Sequence, residues 1–254
     1  MADTSKIPLS VLIIAKNEEK KIVDCITSCS FAGDILVIDD ESDDSTAELA
    51  KQNGARVIRK KMDKGFGEQV QFAIDNAKYS WCFVIDADER CSDELGCEIR
   101  QLVAKNELNA YWIRRRNFFG DREMKYGAMR PDYVLRIFPK EKTTCTGEVH
   151  QTINSDYPHQ KLQHYIIHLT YQTWEQYSRK MNQYSTLAAD KNISQGKKIF
   201  FFRDIVLRPI WAFLKVYIFN LGFLDGKLGY ITSINHAHYT MMKYVKTYSQ
   251  FNAE

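Results

Sequence analysis

At 254 residues the chain can form one large or two small domains with a proper core. Hydrophobic residues make up 44% and charged residues 26%, which excludes a disordered chain, and a formal charge of +3 gives no whole-molecule attraction to nucleic acid. The six cysteines, Cys25, Cys29, Cys82, Cys91, Cys97 and Cys145, include no Cys-x-x-Cys pair, and no secretory apolar region opens the chain. A reduced, cytosolic interior without zinc knuckle or disulfide framework is expected.

Leu9-Ser-Val-Leu-Ile-Ile-Ala15 is a β-rich run that ends at Lys16-Asn17-Glu18, and a helical pattern follows through Ile22, Cys25, Ile26 and Cys29. Asp34-Ile-Leu-Val-Ile-Asp39 is a second buried-strand run, stopping in Asp39-Asp40. Ser42-Asp-Asp-Ser-Thr46 supplies hydroxyl and carboxylate caps for a helix over Ala47 to Asn53, which Gly54 ends. A third strand over Ala55 to Ile58 leads into Arg59-Lys-Lys61 and Lys64-Gly-Phe-Gly67, then into a helix with Val70, Ala73, Ile74 and Ala77 on one face. The fourth strand, Trp81 to Ile85, runs into Asp86-Ala-Asp88-Glu89.

Apolar strands alternating with helices predict an α/β fold whose mostly parallel sheet is covered on both faces. Ligands of such sheets bind at the carboxyl ends of the strands, so all four ends face one crevice. Asp86 and Asp88, one residue apart across a turn, can present oxygens to one divalent cation, Mg or Mn, that keeps positions open for phosphate. Solvated acids at a strand end are the alternative. Acids at the first two ends accept hydrogen bonds from a base or ribose but repel a bare phosphate, so a nucleotide carrying its diphosphate on a cation fits every end. Asn17, Glu18, Asp39, Asp40, Lys64 and Asp86 are the candidate donor-binding residues. No Gly-x-Gly-x-x-Gly follows the first strand and no Gly-x-x-x-x-Gly-Lys-Ser/Thr occurs, which argues against a dinucleotide dehydrogenase and a P-loop kinase.

Ala15-Lys-Asn-Glu18, Val37-Ile-Asp39-Asp-Glu-Ser42-Asp-Asp44-Ser-Thr46, Gly65-Phe-Gly67 and Ile85-Asp-Ala-Asp-Glu89 stand in the order and spacing of family 2 glycosyltransferases of the GT-A fold, which the chain resembles. The resemblance implies that Glu18 and Asp39 contact the nucleoside, Asp86 the ribose or the metal, and Asp88 the metal. Glu68-Gln-Val-Gln71 departs from the basic residue and Asn that relatives carry after the glycines. Further on, Gly127 to Phe138 and Thr146-Gly-Glu-Val-His-Gln151 are similar to the subgroup of lipopolysaccharide core β-1,4-glucosyltransferases, with Gln151 where those relatives have Glu.

Displacing a nucleoside diphosphate with inversion requires a base for the proton of the incoming hydroxyl. Glu148 is the expected base and Asp132 its substitute; an exposed turn acid and a cap are the alternatives. Of the consecutive Arg114, Arg115 and Arg116, at most two share a strand face, and Arg115 either meets an acceptor phosphate or lies solvated. His164 and His168 share a face whether their segment is strand or helix. The resemblance implies that His168 closes the metal site; a core histidine is the alternative.

Gln172 to Asn192 reads as a helix with Trp174, Tyr177, Met181 and Tyr184 on one face. Ile199 to Gly222 is the most apolar stretch, yet Arg203, Asp204, Arg208, Pro209 and Lys215 interrupt it, which argues against a membrane span. Such a pattern suits a helix lying in the headgroup layer of an anionic membrane surface; a buried helix or dimer face is the alternative, and would require partners for the charges. Phe223 to Gly229 is a turn, and a last helix runs from Tyr230 to Phe251, able to pack on the core or on a second copy in a homo-oligomer.

Residues 1–171 are therefore expected to form the GT-A catalytic domain, with 1–90 as nucleotide-binding half and 91–171 as acceptor half, and residues 172–254 a helical, membrane-associating extension. The expected activity is inverting, metal-dependent transfer of a hexose from a nucleotide sugar, UDP-linked, to a lipid-linked saccharide acceptor such as the lipopolysaccharide inner core. The expected location is cytoplasmic, peripheral on the inner face of the bacterial inner membrane, with no nucleic-acid partner. Two other readings stay open: transfer to polyprenyl phosphate, and a catalytically silent nucleotide-sugar-binding scaffold at the membrane.

Overall fold

The computed structural model describes residues 5–63, 65–147 and 152–251, the side chains of 250 and 251 excepted. The chain divides into two compact units, residues 1–115 with 132–168, and residues 116–131 with 169–254.

In the first unit β1 (Ile7–Ala15) pairs in parallel with β2 (Ala32–Asp39) and with β4 (Trp81–Asp86), and β2 pairs in parallel with β3 (Arg56–Arg59). Past β4 the pairing turns antiparallel: β8 (Asp132–Pro139) lies on β4, β6 (Ala110–Phe119) on β8, and β5 (Glu89–Cys91) on β11 (His159–Tyr171). The sheet order is β3-β2-β1-β4-β8-β6-β11-β5, with β7 (Arg122–Met124) beside β6; β9 (Thr143–Thr146) and β10 (Thr152–Ser155) form a separate ribbon. The segment holding His164 and His168 is thus strand.

Why the first strands carry unbroken apolar runs is visible in the packing. Leu9, Val11 and Ile13 of β1 point to one face, where α1 (Ile22–Ser28), α2 (Thr46–Gln52) and α4 (Asp93–Lys105) contribute Ile22, Ala50 and Leu95 to one cluster. Leu12 and Ile14 point to the other face, against Val70, Ala73, Ile74 and Ala77 around α3 (Phe66–Asp75). Both faces being covered, an alternating pattern would have left polar groups inside. Gly67 is required where α3 starts: its N–H donates to Gly147 O at 2.9 Å, and a Cβ there would stand 2.4 Å from the Thr146 carbonyl carbon. All six cysteines are free, and burial pushes the Cys29 thiol up to about 12, which keeps it protonated.

Asp34, buried at the start of β2, accepts from Arg56 Nε at 2.7 Å and Arg56 Nη2 at 2.9 Å, from Ser10 Oγ at 2.8 Å and from Lys78 N at 3.2 Å. Burial alone would raise its pKa, but these hydrogen bonds hold it below the ordinary value. A depressed carboxylate contributes stability that is complete above its unfolded value, about 3.9, and fades as pH falls through the lower folded value. Asp34→Asn should therefore cost about 1.5–3 kcal/mol at pH 7 in urea denaturation, with a gap from wild type that narrows below about pH 4.

The second unit holds α5 (Trp174–Ser194), capped by Thr173 Oγ1 on Gln176 N at 3.2 Å, then α6 (Arg208–Leu214) between π-helical turns at Phe201–Leu207 and Lys215–Phe219, and α7 (Gly226–Phe251). Phe119, Tyr171, Trp174 and Tyr177 stack with ring centroids 4.3 to 6.0 Å apart. Buried Asp225 accepts from Lys125 N at 3.2 Å and Tyr126 N at 2.9 Å, which ties residues 116–131 to the C-terminal helices. No single helix among the described residues is long and apolar enough to cross a membrane; Phe201–Phe219 and Gly222–Ser249 meet that test as a pair bent by 70°.

Candidate active site

In the first unit the strand register brings four strand ends to one level: Ala15 stands beside Asp39, Ile14 beside Asp86, and Asp39 beside Arg59. Because these strands are parallel, the loops after them leave from the same edge of the sheet.

The loop after β1 turns on Asn17, at φ 55°, a left-handed conformation that Asn tolerates better than most residues. Its N–H donates to Ser42 Oγ at 3.0 Å and its Oδ1 accepts from Asp43 N at 2.9 Å. Glu18 N donates to Thr46 Oγ1 at 2.8 Å and Glu19 N to Asp44 Oδ2 at 3.2 Å. The hydroxyls and carboxylates expected to cap α2 thus largely hold the neighbouring loop instead: Ser45, the cap residue, makes no side-chain cap bond, and Asp44 Oδ1 takes Thr46 N at 2.9 Å. Two loops far apart in sequence become one rigid wall. In that wall Glu18 is 27% exposed at its side chain and pairs with Lys21 Nζ at 3.1 Å.

Asp39 and Asp40 are adjacent but differently committed. Asp40 spends both oxygens on the protein, Oδ2 on Lys16 Nζ at 3.0 Å and Oδ1 on Met62 N at 2.7 Å. Asp39 is fully buried; its Oδ2 accepts from Ser42 N at 3.3 Å and forms an ion pair with Arg59 Nε at 3.3 Å, while its Oδ1 has no hydrogen-bond partner among the described residues. An orphan carboxylate oxygen in a dry site costs about 1–3 kcal/mol or more, and the N–H of a nucleobase is a group that would satisfy it. Lys64 lies outside the described residues, as do Glu148 and Gln151.

After β4 the chain turns through Ala87 and Asp88 into β5, which sets Glu89 opposite His168 of β11. Asp88 Oδ1 and His168 Nε2, eighty residues apart, come within 3.6 Å, each about 15% exposed. At that spacing both atoms can reach ~2.1 Å from a single divalent ion. No cluster of three His, Cys, Asp or Glu side chains able to hold a metal occurs among the described residues. Two protein ligands suit an ion of the Mg type, which keeps waters and shares itself with substrate phosphates, and do not suit a closed structural site.

Asp86 is turned elsewhere. Its Oδ2 accepts from Arg136 Nη2 at 2.5 Å, and the same nitrogen donates to Glu89 Oε1 at 3.1 Å and Oε2 at 3.2 Å. Glu89 Oε2 also takes Asp86 N at 3.0 Å, and Oε1 takes Arg115 Nη1 at 3.3 Å. Arg115 then forks onto Asp132 through Nε at 3.0 Å and Nη2 at 2.6 Å. Arg115 is therefore neither solvated nor an obvious phosphate contact. Burial pushes Glu89 up, against the pull of Arg136; burial would also lower Arg136, but Asp86 and Glu89 outweigh it and raise it. For Asp132, burial is outweighed by the Arg115 hydrogen bonds, which hold it below the usual carboxylate range. A carboxylate so held, with both oxygens engaged, is poorly placed to take a proton from a hydroxyl.

Glu89 and Arg136 are the site residues that the sequence-based reading passes over. A signal was available for Arg136: a charge inside the apolar strand Tyr133-Val-Leu-Arg-Ile-Phe138 demands a buried partner. Nothing in the sequence says that the partner is Glu89.

Residues 10–184 match the family model described as Glycosyl transferase family 2. Over 256 residues the chain is 29% identical to the lipopolysaccharide core biosynthesis glycosyltransferase LpsC of Rhizobium meliloti, spanning 96% of this chain and 93% of the relative. It is 30% identical over 253 residues to an uncharacterized glycosyltransferase of Rickettsia typhi, spanning 94% of this chain and 86% of the relative. Among solved structures, glucosyl-3-phosphoglycerate synthase from Mycobacterium tuberculosis, in complex with Mn²⁺, UDP and glucosyl-3-phosphoglycerate, is 23% identical, with a TM-score of 0.35. That match spans 45% of each chain, and at this score it carries nothing about donor or metal here.

Proposed function

Since the chain belongs to glycosyltransferase family 2, we propose that it transfers a hexose, with inversion, from a UDP-linked donor to a lipid-anchored saccharide of the lipopolysaccharide inner-core type, at the cytoplasmic face of the bacterial inner membrane. The observation that carries the donor half is the meeting of Asp88 and His168 at 3.6 Å, at the end of the same sheet where Asp39 keeps a buried oxygen with no partner among the described residues. The acceptor half is supported by the likeness to the Rhizobium protein, over 96% of this chain. Catalysis is assigned to residues 1–171 and membrane association to 172–254.

On this reading Asp39 Oδ1 accepts from the base, Glu18 from the nucleoside, and Asp86, oriented by Arg136, from a ribose hydroxyl. Asp88 and His168 would hold the divalent ion, which when bound supplies positive charge for the departing diphosphate. An acceptor hydroxyl oxygen forms the new bond to the anomeric carbon as the bond to the diphosphate oxygen breaks and its electron pair leaves on UDP. The hydroxyl proton passes to Glu148, the proposed base. Asp132 is disfavoured for that role by its ion pair with Arg115.

The test is a panel of nucleotide sugars assayed with lipid-linked core saccharide. UDP-hexose turnover should exceed that of the other nucleotides, and Glu148→Gln should lower turnover by roughly 10²- to 10⁴-fold while leaving UDP-hexose affinity within about twofold. Retained turnover in Glu148→Gln would move the base elsewhere; transfer to polyprenyl phosphate without any saccharide acceptor would overturn the acceptor.

A further inference from the structure

The C-terminal helices of the second unit are inside out. A helix on a water-facing surface buries its large apolar side chains and exposes its polar ones. Around α6 the buried positions are Asp204, Pro209, Ala212 and Val216, while Phe201, Phe202, Leu207, Trp211 and Phe219 are each more than half exposed. α7 repeats the inversion: Thr232, Ser233, Thr240 and Thr247 are buried, and Tyr230, Ile231 and Ile234 stand out. The buried hydroxyls are satisfied within their own helix, Thr232 on Leu228 O at 2.9 Å, Ser233 on Gly229 O at 2.6 Å and Thr247 on Lys243 O at 2.7 Å. They need nothing from water.

The charges that interrupt this stretch are also accounted for. Buried Asp204 accepts from Arg203 Nη2 at 2.9 Å and pairs with Arg208 Nε at 2.8 Å, so these cations find their partner inside the unit. The apolar side chains nevertheless remain outside. Residues 197–249 contain eight Lys and Arg against two Asp, net +6, although the whole chain carries only +3, which leaves −3 for the remainder. Both of those aspartates, Asp204 and Asp225, are buried, so the charge this segment shows outward is positive. Lys198, Lys215 and Lys227 are exposed and make no ion pair among the described residues.

We infer that this face, built on the bent pair Phe201–Phe219 and Gly222–Ser249, is a wedge that seats in the headgroup and upper acyl layer of an anionic bilayer, with the lysines on lipid phosphates. Charge decides against a second copy of the chain as the occupant. A two-fold contact sets the same patch against itself, and here it would press lysines together with no exposed carboxylate in the segment to receive them. The inference deepens the lipid-anchored acceptor reading of the proposed function. Its test uses neither donor nor acceptor, so either can fail alone.

The full-length chain should float with phosphatidylcholine vesicles that contain phosphatidylglycerol, and far less with phosphatidylcholine alone. Trp211→Ser with Phe219→Ser removes two rings whose centroids lie 5.6 Å apart. It should lower partition on the order of a hundredfold. Because these residues are exposed, the far-UV circular dichroism of the pair variant should match the wild type. As a second and gentler arm, Lys198→Gln, Lys215→Gln and Lys227→Gln should each lower anionic-vesicle partition about fivefold and flatten its dependence on salt. Wild-type protein that stays unbound, or ring variants that bind vesicles as the wild type does, would overturn the inference. So would a wild-type dimer that the ring variants convert to monomer in light scattering without any change in partition, since the face would then join two copies.

Discussion

Arg136→Met is expected to lower folding stability by about 3–5 kcal/mol. The Arg136 side chain is 2% exposed and Glu89 fully buried, and a single nitrogen of Arg136 serves Asp86 and both oxygens of Glu89. Removing it strands Glu89 beside Asp86 with Arg115, at 3.3 Å, as the remaining cation. Arg136 Nε and Nη1 are buried without a partner among the described residues, so the pairing is not an ideal fork and its removal does not simply subtract three good hydrogen bonds. The cost comes from the uncompensated carboxylates. Arg136→Met combined with Glu89→Gln should therefore regain a large part of the loss, giving a coupling well outside the additive range in a urea-denaturation cycle. The pH dependence has a definite sign. Burial already raises Glu89, and without Arg136 it rises further. A carboxylic acid raised above its ordinary value, about 4.3, costs stability as pH climbs past that value, so the deficit is largest at neutral pH and shrinks toward pH 4. A single variant within about 1 kcal/mol of wild type, or purely additive losses, would show that the buried pair is incidental.

The contrast between Asp39 and Arg136 shows what a sequence of this kind discloses and what it withholds. The parallel core was legible because residues 11–15 of β1, 35–38 of β2 and 81–85 of β4 are unbroken apolar runs, a pattern that needs cover on both faces, and because β2 and β4 end abruptly in acids. From that, the convergence of Asp39 and Asp86 at one sheet edge follows without knowing a single tertiary contact. Contacts made after β4 were not legible in the local pattern; only the family resemblance implied that His168 joins the metal site. His168 reaches Asp88 because β11 returns antiparallel to the three-residue strand β5, and a strand that short has no periodicity to read. Asp40 reads as a donor-binding acid and Asp132 as a substitute base; their engagement by Lys16, Met62 N and Arg115 depends on where loops fold back. The same limit explains Ser42 to Thr46, whose side chains fit a helix cap by local rules yet largely serve the loop after β1. Local chemistry names the groups. Long-range pairing decides which of them a ligand can still reach.

That distinction gives Asp86 and Asp88 different expected phenotypes, although both belong to one Asp-x-Asp. Asp88→Ala should abolish the part of UDP-hexose affinity that depends on Mn²⁺, a loss of roughly 10- to 100-fold, and leave metal-free affinity nearly unchanged. Turnover should fall by a further 10²- to 10³-fold, the scale of losing preorganised charge at a leaving group. His168→Gln should behave alike but more weakly, since its amide oxygen can still coordinate a hard divalent ion. Asp86→Asn should do the reverse, lowering metal-free donor affinity while preserving the increment from Mn²⁺, because its Oδ2 is already taken by Arg136. The discriminating readout is calorimetric binding of Mn²⁺ and of UDP-hexose, separately and together, which needs no turnover. If Asp86→Asn removed the metal increment and His168→Gln left it intact, the ion would have to sit between the two aspartates. Arg136 would then have to release Asp86 when the donor binds, and the Arg136–Glu89 pair would be a latch for the site instead of a fixed brace.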